Sequence, residues 1–221
     1  MKITLLHPSR GRPKKAYQTA KKWIETAGYD DIEYILSIDS NDPAKMDYIT
    51  SEVLCKLLRN PFLICYDNDS VVQATNRAAK EAKGDILIYL SDDFDCPQDW
   101  AVQLLKTVEG WQGAWILKVD DCLQPFDVMV MSIPIMNRAA YETLGYFWHP
   151  RYRSMFVDED LIWTAKRHGM LRNAEHLKFP HLHPANGKAP NDETYIRSAN
   201  NWDQGKAVFA QRRGAGFPLG L

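Results

Sequence analysis

Short apolar runs alternate with longer amphipathic stretches through the first half of the chain. Residues 2–7 (KITLLH), 32–39 (IEYILSID), 62–66 (FLICY) and 85–90 (DILIYL) are apolar almost throughout, the pattern of strands covered on both faces. Between them, residues 13–28 place Ala16, Ala20, Trp23, Ile24 and Ala27 at helical spacing, and Gly28 closes the helix. Residues 44–60 and 70–84 repeat that pattern, the latter with Ser70 as N-cap and Gly84 as stop. Strands alternating with helices of this length predict right-handed βαβ units and a parallel sheet. In such sheets ligands bind beyond the carboxyl ends of the strands.

The alternation loosens in the second half. Residues 114–119 and 126–137 read as strands, the second bent at Pro134. A short helix follows over 138–145, then an aromatic loop over 147–160 that is expected to cover the site. Residues 159–169 read as helix, 171–184 contain an extended segment, and 192–213 read as one helix with a weak spot at Gly205. No repeat, low-complexity tract or Gly/Ser linker divides the chain, so one domain is expected over residues 1–221.

Composition changes this picture little. A formal charge of -1 gives no overall basic field for nucleic acid. No apolar run approaches the ~20 residues that span a membrane, and the N-terminal residues do not resemble a signal peptide. Cys55, Cys65, Cys96 and Cys122 are scattered without a CxxC pair, and read as reduced thiols of a cytoplasmic protein.

The strand ends carry the chemistry. The first strand runs into His7-Pro8-Ser9-Arg10, the second into Asp39, the third into Asp67-Asn68-Asp69 and the fourth into Ser91-Asp92-Asp93, with Asp95 just beyond. Like charges this close raise one another's pKa unless a cation lies among them. Either the run 92–95 is a polar turn that caps the next helix, or it binds a metal ion.

The segment NRAAKEAKGDILIYLSDDFDCPQDW (76–100) resembles the family 2 type of GT-A glycosyltransferases, in which a helix and strand lead into a DxD motif. Three further stretches are similar to motifs of that family, in the family's order: HPSRGRP (7–13), SIDSNDP (37–43), and MNRAAYETLGYF with FVDEDLIWTAKRHG (136–169). The resemblance implies a GT-A, Rossmann-like α/β fold: a mostly parallel sheet flanked by helices with a smaller acceptor-side lobe, residues 1–95 forming the nucleotide-sugar-binding half and 96–221 the acceptor and catalytic half with its C-terminal helix. It further implies Mn²⁺- or Mg²⁺-dependent transfer of a sugar from a nucleotide-diphosphate donor, UDP-sugar first, to an acceptor hydroxyl.

Carried over residue by residue, the resemblance implies Asp93 as first metal ligand and Asp95 next, because Asp93 belongs to both frames, Ser91-Asp92-Asp93 and Asp93-Phe94-Asp95. His183 or His181 would complete the metal shell. Asp39 would meet the nucleotide base, Asp92 the ribose, and Asn76 and Arg77 the nucleotide's surroundings. Arg10 and Arg12, beside Pro8 and Ser9, would reach the diphosphate, with Asn68 at the third strand end and Lys188 in a loop closing over the donor. Asp158 aligns with the family's general base and suggests inversion, with Glu159 and Asp160 as alternatives. Trp148, His149, Tyr152 and Trp163 are candidates for stacking on the acceptor. Three other readings compete: a nucleotidyltransferase, a non-catalytic sugar- or nucleotide-binding relative, and a transferase acting on nucleic acid along Arg10, Arg12, Arg151, Arg153, Arg212 and Arg213.

Overall fold

The computed structural model describes residues 1–50, 62–188 and 193–220. Its centre is a single sheet built from β1 (Ile3–Ser9), β2 (Ile32–Asp39), β3 (Phe62–Tyr66), β4 (Ile86–Tyr89), β5 (Ile116–Asp120), β6 (Ile135–Asn137) and β7 (Leu171–Lys178). The strand order is β3-β2-β1-β4-β6-β5-β7. Neighbours run parallel except at β6, which is antiparallel to both β4 and β5. The helices are α1 (Pro13–Glu25), α2 (Lys45–Ile49), α3 (Val71–Glu81), α4 (Trp100–Thr107), α5 (Arg138–Leu144), α6 (Val157–Arg167), α7 (Glu193–Ala199) and α8 (Trp202–Gly214), with a 3₁₀ turn at Pro184–Asn186.

Local chemistry starts and stops these elements. Pro13 opens α1, where its missing N–H costs nothing. Ser70 caps α3 by accepting from the Gln73 N–H at 3.2 Å, and Asn137 caps α5 by accepting from Ala140 at 3.0 Å. Every residue of β1 is buried, as its unbroken apolar run requires of a strand covered on both faces. One core lies on each face of the sheet, the first around Trp23, Trp100 and Phe179, the second around Phe147, Tyr152 and Leu161.

Trp23 links that core to the strand ends. Its ring stacks on Phe179 at 5.2 Å and packs against Trp100 at 5.1 Å, and its indole N–H donates to the Phe94 carbonyl at 3.1 Å. Thr19, one turn earlier, donates to the Asp92 carbonyl at 2.9 Å. Helix α1 thereby fixes the backbone of the acidic loop from beneath.

Two expectations change. Residues 126–134 are irregular, and only Ile135–Asn137 pairs as a strand. The buried Lys118 ammonium explains this, since it takes the Phe126 and Val128 carbonyls out of any ladder. Residues 192–213 are not one helix: the break falls at Asn200-Asn201, and Gly205 lies inside α8. The helix expected over 44–60 is seen as α2, and its remainder lies outside the described residues.

Candidate active site

The carboxyl ends of β1, β2 and β4 open onto one cavity of about 510 Å³. Pro8, Ser9, Arg10 and Arg12 line it from β1, Asp39 from β2, and Ser91, Asp92 and Asp93 from the loop after β4. The opposite wall is formed by residues 153–159, and His181, His183 and Tyr195 close a third side.

The acidic loop is laced to the segment after β7. Asp95 N–H donates to the Pro180 carbonyl at 2.8 Å, and Leu182 N–H donates to the Asp93 carbonyl at 2.8 Å. This sets His181 Nε2 3.4 Å from Asp93 Oδ2. The His183 ring centroid is 4.9 Å from that of His181, with the ring nitrogen Nδ1 accepting from the Ala185 N–H at 3.1 Å. Burial alone would raise the Asp93 pKa. The hydrogen bond and charge of His181, with donors from Tyr195 and Ser91, outweigh it and hold the carboxyl well below the usual range.

Asp92 is held differently. His7 Nε2 meets its Oδ1 at 3.0 Å and Ser9 donates to Oδ2 at 2.9 Å. The other His7 nitrogen meets the Tyr34 hydroxyl at 2.8 Å. In the sequence His7 stands among the polar residues that end the first strand, with no role assigned to it. Asp39 is bridged by Arg10 at 2.7 Å and by Asn68 at 3.0 Å. Arg77 donates to the Asn68 side chain at 2.8 Å and so supports Asp39 from outside the cavity.

Several candidates do not reach the cavity. Asp95 faces away, taking the Lys22 ammonium and the Cys96 N–H on one oxygen. Asn76 clamps the backbone of Phe147 and Trp148 through three hydrogen bonds of 2.7–3.0 Å, which makes it a loop anchor. Lys188 is exposed past the 3₁₀ turn. Asp160 is almost fully buried, bound to Arg212 Nε at 2.7 Å, to the Tyr152 hydroxyl at 2.9 Å and to Thr164 at 3.2 Å. Tyr152 and His149 lie in this same buried region, and Trp163 stacks on Phe217 at 6.2 Å; of the four aromatic candidates Trp148 lines the cavity.

That leaves Asp158 and Glu159 on the acceptor-side wall. Phe156, just before α6, has a φ of 68°. A non-glycine residue in the left-handed region costs on the order of 1–3 kcal/mol, and such strain gathers at functional sites. Here it turns the first helical turn so that Val157, Asp158 and Glu159 line the cavity. Burial raises the Asp158 pKa, partly offset by backbone N–H groups of that turn; burial and then the Asp158 charge raise that of Glu159.

Among the described residues, no three His, Cys, Asp or Glu side chains are grouped so as to hold a metal ion by themselves. Asp93 and His181 nevertheless suit a cation that brings further oxygen ligands with it. Asp93 Oδ1 and His181 Nδ1 are both buried without a hydrogen-bond partner, and buried groups of this kind are rare.

No protein-family model matches the chain, and no curated protein matches it. Solved structures do. A mannosyltransferase from Pyrobaculum calidifontis, in complex with GDP-Man and Mn²⁺, superposes with a TM-score of 0.70 at 14% identity, over 95% of this chain and 64% of that one. The chain has the GT-A glycosyltransferase fold. S. aureus TarS 1-349, in complex with UDP-GlcNAc, gives a TM-score of 0.60 at 11% identity, over 90% of this GT-A chain and 64% of its own. Glucosyl-3-phosphoglycerate synthase from Mycobacterium tuberculosis, with Mn²⁺, UDP and phosphoglyceric acid, gives 0.58 at 15%, over 92% and 76%. The chain spans 36% to 64% of the length of the mannosyltransferase and TarS structures. Among the described residues, no helix is long and apolar enough to cross a membrane.

Proposed function

We propose that this chain is a metal-dependent glycosyltransferase that moves a sugar from a nucleoside diphosphate sugar, UDP-sugar first, to an acceptor hydroxyl. The observation that carries the reading is one cavity with two separate acidic centres: Asp93 beside His181 on one side, Asp158 beside Glu159 on the other. The neighbouring structures, which are complexes with GDP-Man, UDP, UDP-GlcNAc and Mn²⁺, support a nucleotide-sugar donor and a divalent cation.

Asp93 and His181, with His183 beside them, would hold Mn²⁺ or Mg²⁺. Bound there, the cation would neutralise charge on the departing diphosphate. Asp39, kept in place by Arg10 and Asn68, would accept from the nucleotide base, and Asp92, oriented by His7 and Ser9, from the ribose. Arg10 and Arg12 border the diphosphate. Asp158 would take the proton from the acceptor hydroxyl as that oxygen attacks the anomeric carbon from the face opposite the leaving group, which inverts the centre. A raised pKa suits this work, because a base nearer to operating pH drives the transfer better.

The nucleic-acid alternative has less support. Arg212 is buried against Asp160 and Arg151 is bonded to Gln211, so two of the six arginines of that track are engaged elsewhere. The test is hydrolysis or transfer from UDP-sugars with Mn²⁺, followed by NMR of the released sugar. The β-anomer from an α-linked donor, lost in Asp158→Asn, is expected. Retention, or activity that ignores Asp158, would overturn the assignment of the base.

A further inference from the structure

Two cations in the cavity wall have no role in the chemistry assigned above. Arg153 precedes α6 and Arg197 lies in α7; both are exposed, and both line the cavity. Neither guanidinium makes a hydrogen bond or ion pair with any described residue. Several other charges around the cavity are engaged, Arg10 with Asp39, Asp92 with His7 and Ser9, Asp93 with His181 and Tyr195, while Asp158 and Glu159 are the carboxylates on the arginines' own wall.

Arg153 and Arg197 come from stretches that are tied together. Ser154 donates to the Ser198 carbonyl at 3.2 Å, and the Asn201 amide donates back to the Ser154 hydroxyl at 3.2 Å. The residues next to this contact, Arg153 and Arg197, therefore project from adjacent backbones on the wall that also bears Asp158. An anion lying between two guanidinium groups on one wall would be attracted by both. Guanidinium forks suit such a ligand, since they take phosphate or carboxylate oxygens in pairs.

We propose that the acceptor carries an anionic group, phosphate or carboxylate, which Arg153 and Arg197 bind while its hydroxyl lies against Asp158. The inference rests on the transferase reading and adds the acceptor class. Phe156 and Trp202, packed edge to face at 4.8 Å on the same wall, offer an apolar surface to the carbon skeleton.

The test uses glycerol 3-phosphate, glycerate and glycerol as probes. Each is titrated calorimetrically into protein loaded with UDP and Mn²⁺, so that the diphosphate position is already filled. At least one anionic probe is expected to bind about tenfold or more tightly than glycerol, as a charge-assisted contact provides. The better of the two tells phosphate from carboxylate. In Arg153→Gln/Arg197→Gln the preference should vanish, while UDP affinity and melting temperature stay at their wild-type values. Equal binding of glycerol, or a preference that survives in the double variant, overturns the proposal alone. Failure of UDP, GDP, CDP and TDP alike to load, with anion binding intact, overturns the transferase reading and the acceptor assignment with it.

Discussion

Asp158 and Asp160 stand two residues apart in the same helical turn and have opposite fates. Asp160 faces inward, and its carboxylate is consumed by Arg212, Tyr152 and Thr164. Asp158 faces the cavity, where burial raises its pKa. The motif VDED named both as candidates, yet only the return of α8 separates them, because the partner of Asp160 lies 52 residues further on. Asp158→Asn should lower kcat by roughly 10²–10⁴-fold with nucleotide affinity unchanged. The ionised form is the active one and its pKa is raised, so activity should rise with pH along a limb lying above the ordinary Asp value of about 3.9. A pH–rate profile checks this; a limb at or below that value contradicts it. Asp160→Ala strands a buried guanidinium and should cost about 3–5 kcal/mol of stability, read by denaturant melts. Loss of activity without loss of stability would return Asp160 to the site.

At the scale of elements, β1 to β4 and the helices between them were legible because period and caps agree: Ser70 caps α3 as expected, while α1 ends at Glu25, three residues short of Gly28. The stretches read wrongly are those decided by distant contacts. Residues 126–134 lose their strand to the Lys118 ammonium, which no local pattern announces. Gly205, read as a weak spot, lies within α8 because the backbone of Met155 comes up against it, leaving no room for a Cβ. Gly205→Ala should therefore destabilise by about 1–3 kcal/mol despite alanine's better helix propensity, and melting curves would show it. A stabilised variant would mean that α8 does not press on the Met155–Phe156 wall. Helix α7 bears on the donor side. Its Tyr195 hydroxyl donates to Asp93 Oδ2, and its ring lies 4.9 Å from both the Arg12 guanidinium and the His183 ring. Nothing in the sequence marked Tyr195. Tyr195→Phe releases an oxygen of Asp93, so nucleotide affinity in Mn²⁺ should rise several-fold; a fall would show that the hydroxyl supports the donor.

At the scale of the molecule, one sheet brings together residues from positions 9, 39, 93 and 158 that no local stretch combines. Parallel pairing of β1 with β2 and β4 does this by placing their carboxyl ends side by side. The alternation of apolar runs was enough to foresee that edge. Membership within it was not, since Asp95, Asn76 and Asp160 sit beside true wall residues and turn elsewhere. The account as a whole rests on a nucleotide site that uses Asp93 through a divalent cation. Calorimetric titration of UDP, GDP, CDP and TDP with Mn²⁺, then with EDTA, and again on Asp93→Ala, tests it most directly. One nucleotide should bind, and its binding should require both the cation and Asp93. Binding that ignores both, or no binding by any of the four, would contradict the account.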